Sequence, residues 1–201
     1  MKQLLVGTTN NEKVETVAEI TKDAGVHLLT LKDIQNVPIV DESGNSPEEN
    51  AKLKVTTYYN ASKIPALSID SGLYIDAFPE DKQPGMHVRR VCGPGEVTDE
   101  EMLAWYQHEL DQVGGSAPGR WITAVALQTQ DKVFAATFSR ETRLTSKASG
   151  IINHGAPLNS LQIDPLTGKY IADLTPEERV LAYGNVAAGI AQFIRDHLGD
   201  L

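Results

Sequence analysis

The sequence of 201 residues predicts an α/β protein built on a mixed β-sheet flanked by helices. Three observations lead there. Short apolar runs with strand character are interleaved with helical patterns; three helix starts carry explicit capping signals; and two long alternating segments meet across Asp131.

Taken in order, "KQLLVG" reads as a short apolar strand, followed by the polar turn "TTNNEK" and a helix on which Val14, Val17, Ala18 and Ile20 recur at helical spacing. "VHLLTL" is a second strand. In the connection "NVPIVDESGNSPEENA", Pro, Asp, Ser and Gly argue against regular structure. A helix then starts at Ser46, which caps it, with Pro47 at the first helical position and Glu49 completing a capping box. "ALSIDSGLYIDA" alternates like a strand, is expected to stop at Ser71-Gly72 and to resume, and places Asp70 at the end of its first run and Asp76 facing outward. Thr98 with Glu101 opens "DEEMLAWYQHEL", and Thr175, Pro176 and Glu178 open "PEERVLAYGNVAAGIAQFIRDHL". Between them, "RWITAVALQTQ" and "KVFAATFSRETRLTS" predict a long antiparallel hairpin. With no internal repeat, low-complexity tract or linker, residues 1–201 read as a single domain.

Composition narrows the function classes. A hydrophobic share of 41% supports a real core, while 18 basic against 27 acidic residues give a formal charge of −9, which opposes binding to polyphosphate backbones. A nucleic-acid partner is not expected. Cys92 is the only cysteine, so no internal disulfide forms, and the start "MKQLLVGTTNNEK" turns polar too soon for a signal peptide. No apolar run approaches the roughly 20 residues of a membrane span. The expectation is a cytoplasmic protein without a membrane partner.

Four stretches can carry chemistry. In "GTTNNEK", a loop between strand and helix offers free amides and a helix dipole, so Thr8 and Asn10 suit a phosphate and Lys13 adds full charge; polar turn residues with a solvated lysine are the alternative. The loop is not a Walker motif. Glu42 lies ahead of the capped helix, where a carboxylate can take a hard cation or remain an exposed loop acid, whereas Glu48 and Glu49 compensate the helix dipole. Asp70, in a strand that would desolvate it, needs a cation, a lysine or donors such as the Ser71 hydroxyl, unless it closes an Asx turn before Gly72. In "PGMHVRRVCGPG" the paired arginines suit phosphate oxygens, while His87 and Cys92 lack the further ligands of a zinc site.

In order and spacing, "TTNNEK", "DESGNSPEENAKLK", "SIDSGLYIDA" and "PGMHVRR" resemble the inosine triphosphate pyrophosphatase family, also called the Ham1 or non-canonical purine NTP pyrophosphatases, clearly over residues 4 to about 93. The resemblance implies an elongated, two-lobed mixed sheet flanked by helices with an active-site cleft between the lobes, a homodimer, and magnesium-dependent hydrolysis of purine triphosphates such as ITP, dITP and XTP to the monophosphate and pyrophosphate. It makes Thr8, Asn10 and Lys13 triphosphate ligands, with Lys13 also catalytic. It matches Gly44, Glu49, Asn50, Ala51 and Lys54 around Glu42, the magnesium ligand. Asp70 becomes the metal-linked acid that activates water, followed by Ser71, Gly72 and Leu73, and Arg90 matches the arginine after Pro-Gly. The chain departs from the family where Ile69 replaces the first acid of Asp-Asp-Ser-Gly-Leu. It also departs where Gly155-Ala156-Pro157-Leu158-Asn159-Ser160 replaces an aromatic base-stacking loop, and where Arg179 and Tyr183-Gly184-Asn185 replace a lysine and Ser-His-Arg.

The expected function is thus a magnesium-dependent nucleoside triphosphate pyrophosphatase with altered or weakened base discrimination. A catalytically weak nucleotide-binding or sensor protein of the same fold is the alternative. A Maf-like pyrophosphatase fits the "ENA" helix and "DSGL" stretch less well.

Overall fold

In the computed structural model, which describes residues 2–93 and 95–201 apart from the side chain of Glu12, strands and helices alternate along the first half of the chain, and three strands then follow one another before the last helix. The elements are β1 (Lys2–Val6), α1 (Asn11–Thr21), β2 (Val26–Thr30), α2 (Pro47–Ser62), β3 (Ala66–Ile75), α3 (Asp99–Gln112), β4 (Ser116–Gln128), β5 (Val133–Thr145), β6 (Gln162–Ile163) and α4 (Pro176–His197). The six strands form one sheet in the order β2-β1-β3-β4-β5-β6. β1 pairs in parallel with β2, Leu4 opposite Leu28, and with β3, Leu5 opposite Ala66. β5 and β6 are antiparallel, Arg143 opposite Ile163, so the sheet is mixed as the sequence predicts. β4 and β5 are neighbours joined by residues 129–132 alone, a connection that permits only antiparallel pairing.

The helix starts obey their caps, with one variation. Thr98 and Glu101 form the reciprocal box of α3, and Thr175 and Glu178 form that of α4. At α2 the Glu49 amide donates to Ser46 Oγ at 3.2 Å, but the Glu49 carboxylate accepts from Asn45 N instead of closing the box on Ser46.

Two expectations fail at β3 and β4. β3 does not stop at Ser71-Gly72; it runs unbroken to Ile75, so neither a turn there nor an Asx turn at Asp70 exists. The glycine serves close approach instead: Leu73 N donates to Gly85 O at 2.9 Å, and a Cβ on Gly72 would lie 3.0 Å from that oxygen. β4 starts at Ser116, ahead of the expected Arg120, because Pro118 needs only its carbonyl, which accepts from Asp76 N at 3.0 Å. Asp76 itself is exposed, as expected, and pairs with Arg120.

The chain divides into two units. The first takes the chain up to Ser71, with Thr123–Phe138 and Ala187–Leu201; the second takes Gly72–Ile122 and Ser139–Val186. In the first, Leu5, Ala66, Ala124 and Ala126 of the sheet pack with Val55 and Tyr58 of α2. In the second, Leu73, Ile75 and Leu144 pack with Tyr106 and Leu110 of α3, and the buried Tyr106 hydroxyl donates to Val88 O. Each fully buried Leu or Ile side chain stabilises its unit by about 1.5–3 kcal/mol. Among the described residues no helix is long and apolar enough to cross a membrane.

Candidate active site in the first unit

The site begins where β1 meets β3. At the end of β1 the Gly7 amide donates to Leu67 O at 2.7 Å, and the buried Ser68 hydroxyl donates to Gly7 O at 2.8 Å, locking the first loop onto β3. Gly7 is required by its neighbour, since a Cβ there would sit 2.5 Å from Tyr58 Cδ2. Asn10 caps α1, its Oδ1 accepting from Lys13 N, while Thr8 Oγ1 accepts from Asn10 N. Thr8 and Asn10 thus shape the loop with their oxygens. The same cap sets the first turn of α1 so that Lys13 Nζ reaches Ile69 O on β3, 3.0 Å away.

α2 supplies the second wall. Its buried Asn50 takes Gly44 N on Oδ1 at 2.9 Å, which fixes the loop carrying Glu42. Further along α2, Lys54 Nζ lies 3.0 Å from Glu42 Oε2 and 2.9 Å from Asp70 Oδ1. Lys54 and Asp70 are nearly enclosed, their side chains 13% and 10% exposed, whereas that of Glu42 is 46% exposed. Asp70 Oδ2 is buried without a hydrogen-bond partner. The two carboxylates therefore do converge, and the cation found between them is an ammonium.

Strand alternation explains what faces the cluster. Ser68 and Asp70 share one face of β3, so Ile69 and Ser71 belong to the other. Ile69 offers Lys13 its main-chain oxygen, and its buried side chain lies on the opposite side of the strand from Asp70. Ser71 does not donate to Asp70; its Oγ lies 3.2 Å from Thr123 Oγ1 of β4. The partner foreseen for Asp70 is instead a lysine.

The two lysines respond oppositely to this setting. Burial pushes the Lys13 ammonium below the usual lysine range, a shift that Asp70 and Glu42 oppose and Lys54 reinforces. Burial acts on Lys54 in the same sense, but its ion pairs and hydrogen bonds with Asp70 and Glu42 prevail and hold it above the usual range. Lys54 is thus a firmly charged bridge, and Lys13 a strained charge beside it.

Other sequence candidates belong to the second unit. Arg90 is exposed in the loop after Pro84-Gly85. Its neighbour Arg89 donates to Asp99 Oδ1 and to Gly155 O, while Gly155 N donates to Asp99 Oδ2, so both main-chain groups of Gly155 are held. Arg179 is half-buried on α4, with Nε 3.4 Å from Leu174 O. Where aromatics are absent, Leu158 is buried in the second core. Tyr183, which replaces a polar residue, lies under the Arg140 guanidinium, 4.5 Å from its ring centroid, and Arg140 also donates to Gln162. The sequence reading missed Arg140 and the Arg89-Asp99-Gly155 clamp, because nothing local marks either.

The Ham1 family model matches residues 4–179, well past the stretch where the motifs are clear. A "dITP/XTP pyrophosphatase" of Geobacillus kaustophilus is 30% identical over 183 residues, covering 89% of this chain and 86% of that protein. One of Geobacter sulfurreducens is 37% identical over 113 residues, covering 56% of this chain and 55% of its own length. Together with Leptospira interrogans relatives covered to 49%, this means the chain spans about half the length of the first curated relatives it matches. In fold, a HAM1 protein of Coxiella burnetii aligns at TM-score 0.83 and 20% identity, covering 98% of this chain and all of that one. The Ham1 protein of Staphylococcus aureus aligns at 0.82 and 19% identity, covering 97% and 99%. From the family match over most of its length, with the same fold in those solved structures, the chain belongs to the Ham1 family.

Proposed function

We propose that the chain is a nucleoside triphosphate pyrophosphatase, a hydrolase of acid anhydrides that converts a purine NTP, non-canonical ones included, to NMP and pyrophosphate with Mg2+. The observation that carries this reading is the convergence of Glu42 and Asp70 within 3.0 Å of one ammonium, with Lys13 Nζ on the adjacent residue of β3. Relatives named dITP/XTP pyrophosphatase support the substrate class. A homodimer is proposed from the resemblance alone, and a cytoplasmic location from the composition.

The residues fit a hard divalent ion. Two carboxylates supply oxygen ligands, and the buried, unpartnered Asp70 Oδ2 is an acceptor in need of a cation or donor. Among the described residues no third Asp, Glu, His or Cys joins them. That count suits Mg2+, which commonly takes one or two carboxylates and completes its shell with water and substrate phosphates. Glu42 and Asp70 would hold the ion, which when bound neutralises phosphate charge.

The chain's own groups account for the rest. Lys13 and Lys54 neutralise the negative charge that hampers attack on a phosphoanhydride, and the N-terminus of α1, on the loop that Thr8 and Asn10 shape, turns the positive end of its dipole to a phosphate. Asp70 accepts a proton from water as its oxygen bonds to the α-phosphorus and the α–β bridging bond breaks, releasing NMP and pyrophosphate. Ser71, Arg90 and Arg179 are further substrate ligands by resemblance, Ser71 through its place beside Asp70 and not through a contact with it. Base discrimination is expected to be weak, because Leu158 is a core residue and Tyr183 carries Arg140 on its ring.

Incubating the purified protein with Mg2+ and ITP, XTP, GTP, ATP, CTP and UTP, and measuring pyrophosphate and monophosphate, tests the reading. Equimolar products from at least the 6-oxopurines are expected. Binding without product across the panel would establish the nucleotide-binding alternative.

A further inference from the structure

We infer that Lys54 is the resident counter-cation of the Glu42–Asp70 pair, and that its ammonium must leave these carboxylates before they can hold a divalent ion. The inference rests on the metal-site reading above and adds a gate to it.

Lys54 Nζ engages Glu42 Oε2 and Asp70 Oδ1 at 3.0 and 2.9 Å, nearly equidistant between them. A small divalent ion binds carboxylate oxygens at about 2.0–2.1 Å, so whether it takes those two oxygens or the second oxygen of either carboxylate, such as Asp70 Oδ2, it would sit within a few ångström of the ammonium. Two positive centres that close repel strongly in a site as enclosed as this one. One elementary charge is also an incomplete answer to two carboxylates, and Asp70 Oδ2, buried and unpartnered, shows which oxygen it leaves unserved. Lys13 does not fill the gap: its Nζ donates to Ile69 O and makes no hydrogen bond to Asp70 Oδ2.

Displacement is mechanically simple. A lysine ammonium rides on a flexible four-carbon stem and can swing from carboxylate to phosphate without moving α2. While Lys54 sits on the carboxylates, the competent fraction of the site is small and the apparent metal affinity falls in proportion to that fraction. A triphosphate that draws Lys54 onto its own oxygens removes the competition. Nucleotide and metal then tighten each other's binding by the same factor.

The test uses Mn2+ alone, titrated into nucleotide-free protein and followed by the EPR signal of the free ion. Lys54→Met is expected to bind Mn2+ at least tenfold more tightly than the unaltered chain, and Asp70→Asn to abolish the binding in either background. Lys13→Met removes an equal charge near Asp70 without freeing one of its oxygens, and is expected to tighten Mn2+ by much less. Binding that depends on Asp70 but is not tightened by Lys54→Met, or is tightened as much by Lys13→Met, overturns the gate while leaving the metal site standing. No Asp70-dependent binding in any variant overturns the metal site and the gate with it. A second measurement needs no variant of Lys54: with 15N-labelled lysine, the Lys54 side-chain resonance should shift as Mg2+ saturates the protein. A resonance indifferent to saturating Mg2+ also overturns the gate.

Discussion

Replacing Asp70 by asparagine separates what this side chain does for chemistry from what it does for the fold. The substitution keeps the shape and removes the charge. Lost is a charge-assisted hydrogen bond to Lys54 of 2.9 Å, a class that contributes about 1.5–3 kcal/mol. Gained is relief from burying a carboxylate whose Oδ2 has no partner. Removing one member of a buried pair costs about 3–5 kcal/mol when the other is left uncompensated, but here Lys54 keeps Glu42 at 3.0 Å. The opposing effects leave a net loss below about 2 kcal/mol, or a fall in Tm of no more than about 4–8 °C for a chain of this size. The rate should fall much further, by about 10²- to 10⁴-fold, the usual contribution of a positioned acid or base. At about 1.4 kcal/mol per tenfold, this corresponds to roughly 3–5 kcal/mol of barrier. Initial rates of pyrophosphate release from ITP with Mg2+, and thermal denaturation of the same preparation, measure both. An unchanged rate, or a loss no larger than the unfolded fraction explains, would remove Asp70 from the mechanism.

Two further predictions concern the loops. Gly7→Ala drives a methyl to 2.5 Å from Tyr58 Cδ2 and 2.9 Å from Cε2, an overpacking worth about 1–3 kcal/mol; Tyr58→Leu should rescue part of it in a double-mutant cycle, and strictly additive losses would contradict the clash. Asp99 is held below the usual carboxylate range by the Gly155 amide and then by Arg89. Because its folded pKa is depressed, its stabilisation is fully present above the unfolded carboxylate pKa and disappears as pH falls through the lower, folded one. The Tm advantage of the unaltered chain over Asp99→Asn should therefore hold at neutral pH and close as pH falls through and below the usual carboxylate range. A gap independent of pH would mean that the carboxylate charge does not hold the clamp.

How far the site was legible depended on the range of each interaction. Lys13 could be placed near the first loop because an Asn cap and one helical turn fix where it projects. Glu42 and Asp70 stood out as acids in unusual places, and family resemblance joined them. Neither source announced that Lys54 would bridge them, since the pairing spans sixteen residues to Asp70 and depends on how α2 lies against β3. The Ser71 hydroxyl was one of several partners open to Asp70 while a turn was expected there; because the strand continues, the two side chains fall on opposite faces, and of those partners a lysine is the one present.

By itself the sequence determined three helix starts and the hairpin: Ser46, Thr98 and Thr175 cap helices through bonds spanning three residues, and Asp131 lies in a turn too short for any pairing but a hairpin. Those signals are local, so they survive without knowledge of the fold. Only tertiary structure decided that β3 runs through Asp70-Ser71-Gly72, because Gly85, distant in sequence, supplies the backbone that Gly72 approaches. It alone decided, too, that a lysine of α2 sits between two carboxylates from a loop and a strand. A buried charge takes whichever partner packing brings within reach, and sequence distance does not set that choice.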